Sequence, residues 1–229
     1  MFKLKRSEIN SLIADTIEWL QRLHVHLPPF AYWTPEEWAA KGHEYDEIRE
    51  NMLGWDVTDY GRGNFDKVGL LLFTLRNGNL KNPAYAKPYA EKMLISQVGQ
   101  LSPNHFHWHK MEDIINRQGG TLMLQLWNSM ADERLDNTDV TVRVDGKTYT
   151  VPAGGKVFLS PGESITLSPG TYHLFTAEDE RVLAWEVSMV NDDLTDNRFY
   201  ETQSRFTNIE EDEPARFLLC NEYPECCHV

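Results

Sequence analysis

The chain is poor in cysteine, in basic residues and in long apolar runs. Its three cysteines all lie after position 219, so they cannot form a disulfide framework and they indicate a reducing compartment. Lysine and arginine number 22 against 35 aspartates and glutamates, and the formal net charge of −13 argues against nucleic-acid and anionic-membrane partners, which need a basic face. No apolar run is long enough to cross a bilayer, and the N-terminal residues lack the apolar core of a signal peptide. We therefore expect a cytoplasmic protein that binds neither nucleic acid nor membrane.

The first fifty residues have a helical pattern. Apolar residues at three-to-four spacing predict a helix that begins at the N-cap Ser7 and ends before Pro28-Pro29. The capping box Thr34-Pro35-Glu36-Glu37 predicts a second helix, and a third short one is expected around 43–52. Aromatic and glycine residues at 54–66 indicate a loop.

From about residue 68 the pattern becomes that of short β-strands. Runs rich in β-branched and aromatic residues predict strands at 68–75, 91–98, 122–127, 140–144, 147–151, 156–159, 164–167, 172–176, 182–190 and 215–220. Asp145-Gly146 between two such runs predicts a hairpin. Many short strands separated by Gly and Pro favour a sandwich or barrel, with jelly rolls among the options. We expect residues 1–66 to form a helical and loop extension packed on a barrel of residues 67–229.

The most informative motif is His105-Phe106-His107, followed by Glu112 and, much later, His173. Two histidines separated by one residue on a strand project from the same face, so one metal ion can bind both. Imidazoles with one carboxylate suit Mn, Fe, Co, Ni or Zn. Phe106 and the following Trp108 alternate with the ligands and are expected in the core.

The spacing of these residues resembles the two motifs of the cupin family. Gly99, His105, His107, Glu112 and Gly119 fit the first motif. Gly162, Gly170 and His173 fit the second, although Ser168 replaces the usual Pro and Ala177 the usual Asn. The link between the motifs is long and carries the predicted hairpin as an inserted pair of strands. The resemblance implies a mainly β cupin fold, a double-stranded β-helix or jelly-roll barrel, with a metal bound by His105, His107, Glu112 and His173 inside its open end.

A more specific resemblance covers nearly the whole chain. The stretches that carry it are His105-Phe106-His107-Trp108, Glu112-Asp113-Ile114-Ile115-Asn116-Arg117, Leu27-Pro28-Pro29-Phe30-Ala31, Val187-Ser188-Met189-Val190-Asn191-Asp192-Asp193, Asp212-Glu213-Pro214-Ala215 and Leu218-Leu219-Cys220-Asn221-Glu222-Tyr223. They are similar to the D-lyxose isomerase family. The resemblance implies a Mn²⁺-dependent homodimer that converts the sugars D-lyxose to D-xylulose and D-mannose to D-fructose.

Such a site can polarise a sugar carbonyl while a base moves a proton between C1 and C2 through a cis-enediol. A hydride shift is the rival mechanism, and Co²⁺, Ni²⁺, Fe²⁺ or Zn²⁺ are alternatives to Mn²⁺. Two other functions fit the same fold: a cupin metal-dependent dioxygenase and a non-catalytic sugar-binding cupin. The complete ligand set argues against the last.

Candidate proton carriers and sugar ligands lie near the motifs. Glu186 shares a strand face with Ala184 and Ser188, and either faces the metal as a catalytic base or faces solvent. Lys110, two residues before Glu112, is a second catalytic candidate or a surface lysine. The candidate substrate-binding residues, each with a structural or surface role as the alternative, are Lys92, Asp192, Asp193, Arg198 and Glu222.

Overall fold

The computed structural model describes residues 3–225, so Cys226-Cys227-His228, expected from the sequence to be a frayed tail rather than a soft-metal site, lies outside the described residues. The helices are α1 (Arg6–Arg22), α2 (Pro35–Ala39) and α3 (Asp46–Glu50), with 3-10 turns at Pro29–Tyr32 and His43–Tyr45. The strands are β1 (Leu4–Lys5), β2 (Gly54–Thr58), β3 (Leu70–Arg76), β4 (Tyr89–Ser96), β5 (Ser102–Phe106), β6 (Glu112–Gly119), β7 (Leu122–Asn128), β8 (Val140–Val144), β9 (Lys147–Val151), β10 (Gly155–Leu159), β11 (Ser164–Leu167), β12 (Thr171–Ala177), β13 (Val182–Met189), β14 (Arg198–Phe199) and β15 (Ile209–Glu210). Among residues 3–225, no helix combines the length and apolar character needed to span a bilayer.

Two antiparallel sheets form the barrel. The larger has eight strands in the order β2-β3-β4-β13-β6-β11-β8-β9, and the smaller has five in the order β10-β7-β12-β5-β14. Apolar side chains from both sheets fill the interior, among them Leu94, Leu124, Ile165 and Phe175. This is the mainly β, cupin-type fold that the sequence predicts.

The hairpin between the two metal motifs is confirmed. Strands β8 and β9 pair in register across Asp145-Gly146, and β8 joins the large sheet beside β11. Asp145 and Gly146 both have positive φ, 48° and 80°, as a type I′ turn requires. The long link therefore adds two strands at the edge of the large sheet.

A second core lies on the outer face of the large sheet. Helix α1 buries Ile9, Ile13 and Leu20 against outward-facing residues that include Phe73 and Met93. Each large apolar side chain that is fully buried in this way contributes about 1.5–3 kcal/mol. The apolar positions that predict α1 from the sequence are therefore the ones that pack on the barrel.

Three local predictions are wrong. Ser7 lies inside α1, which begins at Arg6, and its hydroxyl donates to Asp212 at 2.7 Å because that distant carboxylate binds the helix start. The predicted loop at 54–66 contains strand β2, the edge of the large sheet. The predicted strand at 215–220 is irregular, and only Leu219 makes an isolated bridge, to Trp55.

The helix predicted from the Thr34 box is confirmed, since the Thr34 side chain accepts from the Glu37 N–H. The third helix is confirmed as the turn His43–Tyr45 and α3. We keep the division into a 1–66 extension and a 67–229 barrel as a proposal, with the qualification that β2 contributes its strand to the barrel sheet.

Candidate metal centre and active site

Four side chains from three strands converge inside the barrel. His105 lies on β5, His107 follows that strand, Glu112 opens β6 and His173 lies on β12. His173 pairs directly with His105 across the two strands. One ring nitrogen from each histidine lies within 4.8 Å of those of the other two. The strand period and the sheet register together therefore place three imidazoles at one point.

The backbone determines which nitrogen of each imidazole faces that point. The Nδ1 atoms lie 2.8 Å from the Pro103 carbonyl for His105, 2.6 Å from the Asp196 carbonyl for His107 and 3.0 Å from the Thr171 carbonyl for His173. A carbonyl oxygen only accepts, so each Nδ1 carries a hydrogen, and the ring in its neutral form presents the lone pair of Nε2. Burial and the two neighbouring imidazoles also hold the pKa of His105 well below its usual value. Carbonyl bonds of this kind orient metal-ligating histidines.

Glu112 completes the donor set. Its Oε1 is buried without a hydrogen-bond partner and lies 3.4 Å from Nε2 of His107 and 3.2 Å from Nε2 of His173. Burial raises the pKa of Glu112, but Lys110 and His107 lower it by more, so the pKa lies well below normal and the group is a carboxylate. An orphaned carboxylate oxygen beside three lone pairs fits a divalent cation. These residues therefore can hold a metal ion.

Lys110 and Glu186 form a buried ion pair beside the metal ligands. Nζ of Lys110 lies 2.8 Å from Oε2 of Glu112 and 2.7 Å from Oε1 of Glu186. Burial lowers the pKa of Lys110, but the two carboxylates raise it by more, so its ammonium form is favoured. Glu186 faces inward from β13, and Lys92, directly opposite it on β4, has its Nζ 3.5 Å from Oε1 of Glu186.

Asp193 and two residues that sequence reasoning missed extend this charged cluster. Arg205 lies 2.7 Å from Asp56 and 2.9 Å from Asp193, and Asp193 lies 3.7 Å from Lys92. Burial raises the pKa of Asp193, but Arg205 and Lys92 lower it by more, to well below normal. The cluster therefore sets three cations, Lys92, Lys110 and Arg205, against four carboxylates, Asp56, Glu112, Glu186 and Asp193.

Asp56 and Arg205 were missed for different reasons. Asp56 lies in the segment for which the sequence predicts a loop, where an aspartate is ordinary. Arg205 lies in an irregular segment, 147 residues after Thr58 of β2, whose hydroxyl donates to the Arg205 carbonyl. No sequence motif marks this arginine. The sequence offers one signal for Asp56, which is that a charged residue lies between the apolar residues Trp55 and Val57.

The structure does not bring the other three predicted substrate residues to the cavity. Asp192 accepts from the Thr195 hydroxyl at 2.7 Å and pairs with Lys81 at 3.2 Å. Arg198 pairs with Glu133 at 2.6 Å on the outer side of β14, and strand alternation places its neighbour Phe199 over His105 instead. Glu222 binds Arg6 and the Leu219 N–H.

Apolar residues surround the polar centre. The residues that line the cavity besides the metal ligands and the charged groups are Tyr60, Leu70, Leu72, Leu94, Ser102, Ile114, Phe175, Asn197 and Phe199. Burial raises the pKa of Tyr60 to about 12, so it is a neutral phenol. Phe106 is buried as expected, whereas the expectation for Trp108 is wrong: β5 ends at Phe106, and Trp108 is 39% exposed with its indole N–H donating to Glu133.

Comparisons with known proteins identify the family of the chain. A family model described as D-lyxose isomerase matches residues 4–223. The chain is 48% identical over 223 residues to a D-lyxose/D-mannose isomerase of Escherichia coli O157:H7, with 96% of this chain and 98% of that protein covered. It is 47% identical to the D-lyxose/D-mannose isomerase of Serratia proteamaculans over the same shares of the two chains.

Solved structures show the same fold at low identity. An Acinetobacter sp. DL28 L-ribose isomerase variant, in complex with L-ribose, superposes with a TM-score of 0.61 at 13% identity, covering 91% of this chain and 98% of that one. At this identity the likeness concerns the fold alone. The match of the family model over nearly the whole chain, together with the near-half identity to two relatives, establishes that the chain belongs to the D-lyxose isomerase family, whose members are aldose–ketose isomerases.

Proposed function

We propose that this protein interconverts D-lyxose and D-xylulose, and D-mannose and D-fructose. The observation that carries the proposal is the group of three histidines with the Glu112 carboxylate next to it, adjacent to the Lys110–Glu186 ion pair. The names of relatives that are almost half identical in sequence support the choice of sugars.

The proposed metal ligands are His105, His107, Glu112 and His173, and the proposed ion is Mn²⁺, with Co²⁺, Ni²⁺, Fe²⁺ and Zn²⁺ as alternatives that the same donors accept. When bound, the ion supplies Lewis-acid polarisation of a sugar carbonyl. Glu112 contributes the negative charge that three neutral imidazoles lack. Its second oxygen remains bonded to Lys110 at 2.8 Å, which couples the centre to the proton-carrying groups.

Glu186 and Lys110 are proposed to move protons. The Glu186 carboxylate takes the proton from C2 of the aldose and returns it to C1 on the same face, through a cis-enediol. The Lys110 ammonium donates to the sugar oxygen that gains charge and recovers a proton from the neighbouring hydroxyl. Their 2.7 Å contact keeps both groups at one side of the cavity, as transfer on one face requires.

Hydroxyl recognition is proposed for Lys92 and Asp193, which line the cavity. The sugar-binding roles predicted for Asp192, Arg198 and Glu222 are not part of this proposal, because these side chains bind neighbouring protein groups outside the cavity. Cytoplasmic location and a homodimeric assembly are further proposals, which are supported by the cysteine usage and by the family resemblance respectively.

The test is incubation of metal-loaded protein with a panel of aldoses without oxygen, read as ketose formed. We expect turnover of D-lyxose and D-mannose, and no oxygen uptake in air. Oxygen consumption with no ketose would replace the proposal by a dioxygenase. The same reaction in deuterated water distinguishes the steps, because proton transfer incorporates solvent deuterium at carbon and a hydride shift retains the substrate hydrogen.

A further inference from the structure

Three asparagine side chains connect the ends of separate elements to the active-site lysines. Asn51 follows α3, Asn77 follows β3 and Asn191 follows β13. Asn51 and Asn77 are 3% and 5% exposed, and Asn191 is half-buried. None of the three belongs to the metal-ligand motifs, and each makes hydrogen bonds that determine the orientation of its amide.

The side-chain oxygen of Asn191 is shared by two ammonium groups. Lys92 donates to it at 2.6 Å and Lys110 at 3.2 Å. An ammonium group only donates, so the oxygen rather than the amide nitrogen of Asn191 must face the lysines. A neutral acceptor therefore lies between two like charges and holds both ammonium groups close to itself.

The two lysines use this oxygen differently. Lys110 has three N–H donors, and they meet Glu112 at 2.8 Å, Glu186 at 2.7 Å and Asn191 at 3.2 Å. The contact with Asn191 is the longest of these, and its acceptor is the neutral one. Among residues 3–225, the hydrogen bond to Asn191 is the only one that Lys92 makes through its side chain, since its carboxylate neighbours lie at 3.5 and 3.7 Å. Lys92 therefore keeps donors available for a sugar.

Asn77 in turn holds the backbone of Asn191 from both sides. Its Oδ1 accepts from the Asn191 N–H at 3.0 Å, and its Nδ2 donates to the Asn191 carbonyl at 2.9 Å. The Asn77 carbonyl accepts from the Asn51 amide at 3.1 Å. These two hydrogen bonds fix the backbone of Asn191 and therefore the position from which its side chain reaches the two lysines.

We infer that Asn191 is a positioning residue that aligns Lys92 and Lys110 for the sugar, and that Asn77 acts through it. The Asn191 oxygen holds Lys92 where its remaining donors meet a substrate hydroxyl, and it occupies the third donor of Lys110 until a sugar oxygen takes that place. The hydrogen bond from Lys110 to the neutral Asn191 oxygen is easier to break than one to a carboxylate would be, because a hydrogen bond is stronger when its acceptor is also charged. The inference rests on the proposed function.

The test is a double-mutant cycle on metal-loaded full-length protein. Asn191→Ala is expected to lower kcat/KM about thirtyfold, with both a lower kcat and a higher KM, because two charge-assisted hydrogen bonds are lost. Asn77→Ala is expected to lower it about fivefold, and the double variant no further than Asn191→Ala alone. Asn191→Ala should also weaken inhibition by xylitol, a polyol with no carbonyl, by about tenfold. Bound metal should be unchanged in all three variants.

Asn79→Ala is the matched control. Asn79 donates to Asn51 at 3.1 Å within the same group of amides but does not touch Asn191, and its loss should leave kcat/KM and xylitol inhibition unchanged. Asn191→Ser, too short to reach both ammonium groups, serves if Asn191→Ala does not fold.

The inference is overturned if Asn191→Ala retains kcat/KM within about threefold of the wild type, or if the losses of Asn77→Ala and Asn191→Ala multiply in the double variant. A wild-type protein inactive toward every aldose overturns the proposed function, and the inference with it.

Discussion

The two faces of strands β4 and β13 serve different purposes. Inward, these strands present Lys92 and Glu186 to the metal centre. Outward, they present Met93, Leu183 and Ile95 to helix α1. Alternate residues of the same strand therefore belong either to a charged, buried cluster or to an apolar core.

The residues proposed to act on the sugar and the residues that stabilise the fold therefore lie on opposite faces of the same strands. Burying charges is costly, and a charged cluster is retained because every member is paired. The apolar core on the other side of the sheet stabilises the strands that hold the cluster in place. Substitutions of Lys92 and Glu186 should therefore change turnover, and substitutions in the outer apolar core should change the free energy of unfolding.

Loss of a metal ligand should have the largest effect. His107→Ala is expected to lose bound metal and to lower turnover about a thousandfold or more, because the carbonyl activation disappears. Its melting temperature should match that of the metal-free wild type, since the barrel strands do not depend on the ion. Metal analysis and ketose assays check this, with His109→Ala, an exposed neighbour, as the control. Metal-independent turnover by His107→Ala would contradict it.

A cavity in the outer core should lower the stability of the protein and leave its turnover unchanged. Ile13 is completely buried in α1, and Ile13→Ala should lower the free energy of unfolding by about 2–5 kcal/mol. Turnover per folded, metal-loaded molecule should stay at the wild-type value. Denaturant unfolding measures the change, and Glu18→Ala on the exposed face of the same helix should have little effect. A loss of kcat in the folded variant would break the separation between the faces.

Asp193 of the charged cluster should make the stability of the protein depend on pH. Its folded-state pKa lies well below 3.8, so its stabilisation is present above about pH 4 and is lost as the pH falls through the folded value. Asp193→Asn should cost about 3 kcal/mol near pH 7, because the buried Arg205 loses a partner. Melting temperatures measured across pH 3–7 should show that the difference between wild type and Asp193→Asn becomes smaller in acid. A difference that stays constant with pH would contradict the lowered pKa of Asp193.

Removal of the proposed base should affect chemistry alone. Glu186→Gln keeps the shape of the side chain but cannot take a proton, so we expect bound metal to be retained and kcat to fall about a hundredfold. The exposed Glu178→Gln is the control. A near-normal kcat would remove Glu186 from the proton-transfer step.

Local patterns predict most of the barrel because period-two alternation and turn residues are properties of neighbouring positions. The strands Val140–Val144, Lys147–Val151 and Ser164–Leu167 agree residue for residue with the prediction. The same alternation places Glu186 on one strand face with Ala184 and Ser188, but it does not decide whether that face points into the barrel or to solvent.

Features that depend on distant partners were not predicted. Strand β2 carries Asp56 at its centre, and an aspartate there is acceptable only because Arg205 neutralises it. Helix α1 begins one residue before the predicted cap because Asp212 supplies the interaction from the other end of the chain. The apolar residues at 215–220 pack on the barrel as irregular chain rather than as a strand.

The most direct test of the central claim is a metal titration of chelated protein with D-lyxose as substrate. We predict that exhaustive chelation abolishes ketose formation, and that Mn²⁺ restores it in proportion to occupancy, saturating at about one ion per chain, because the four ligands form a single set. Full activity in the metal-free protein would contradict the account.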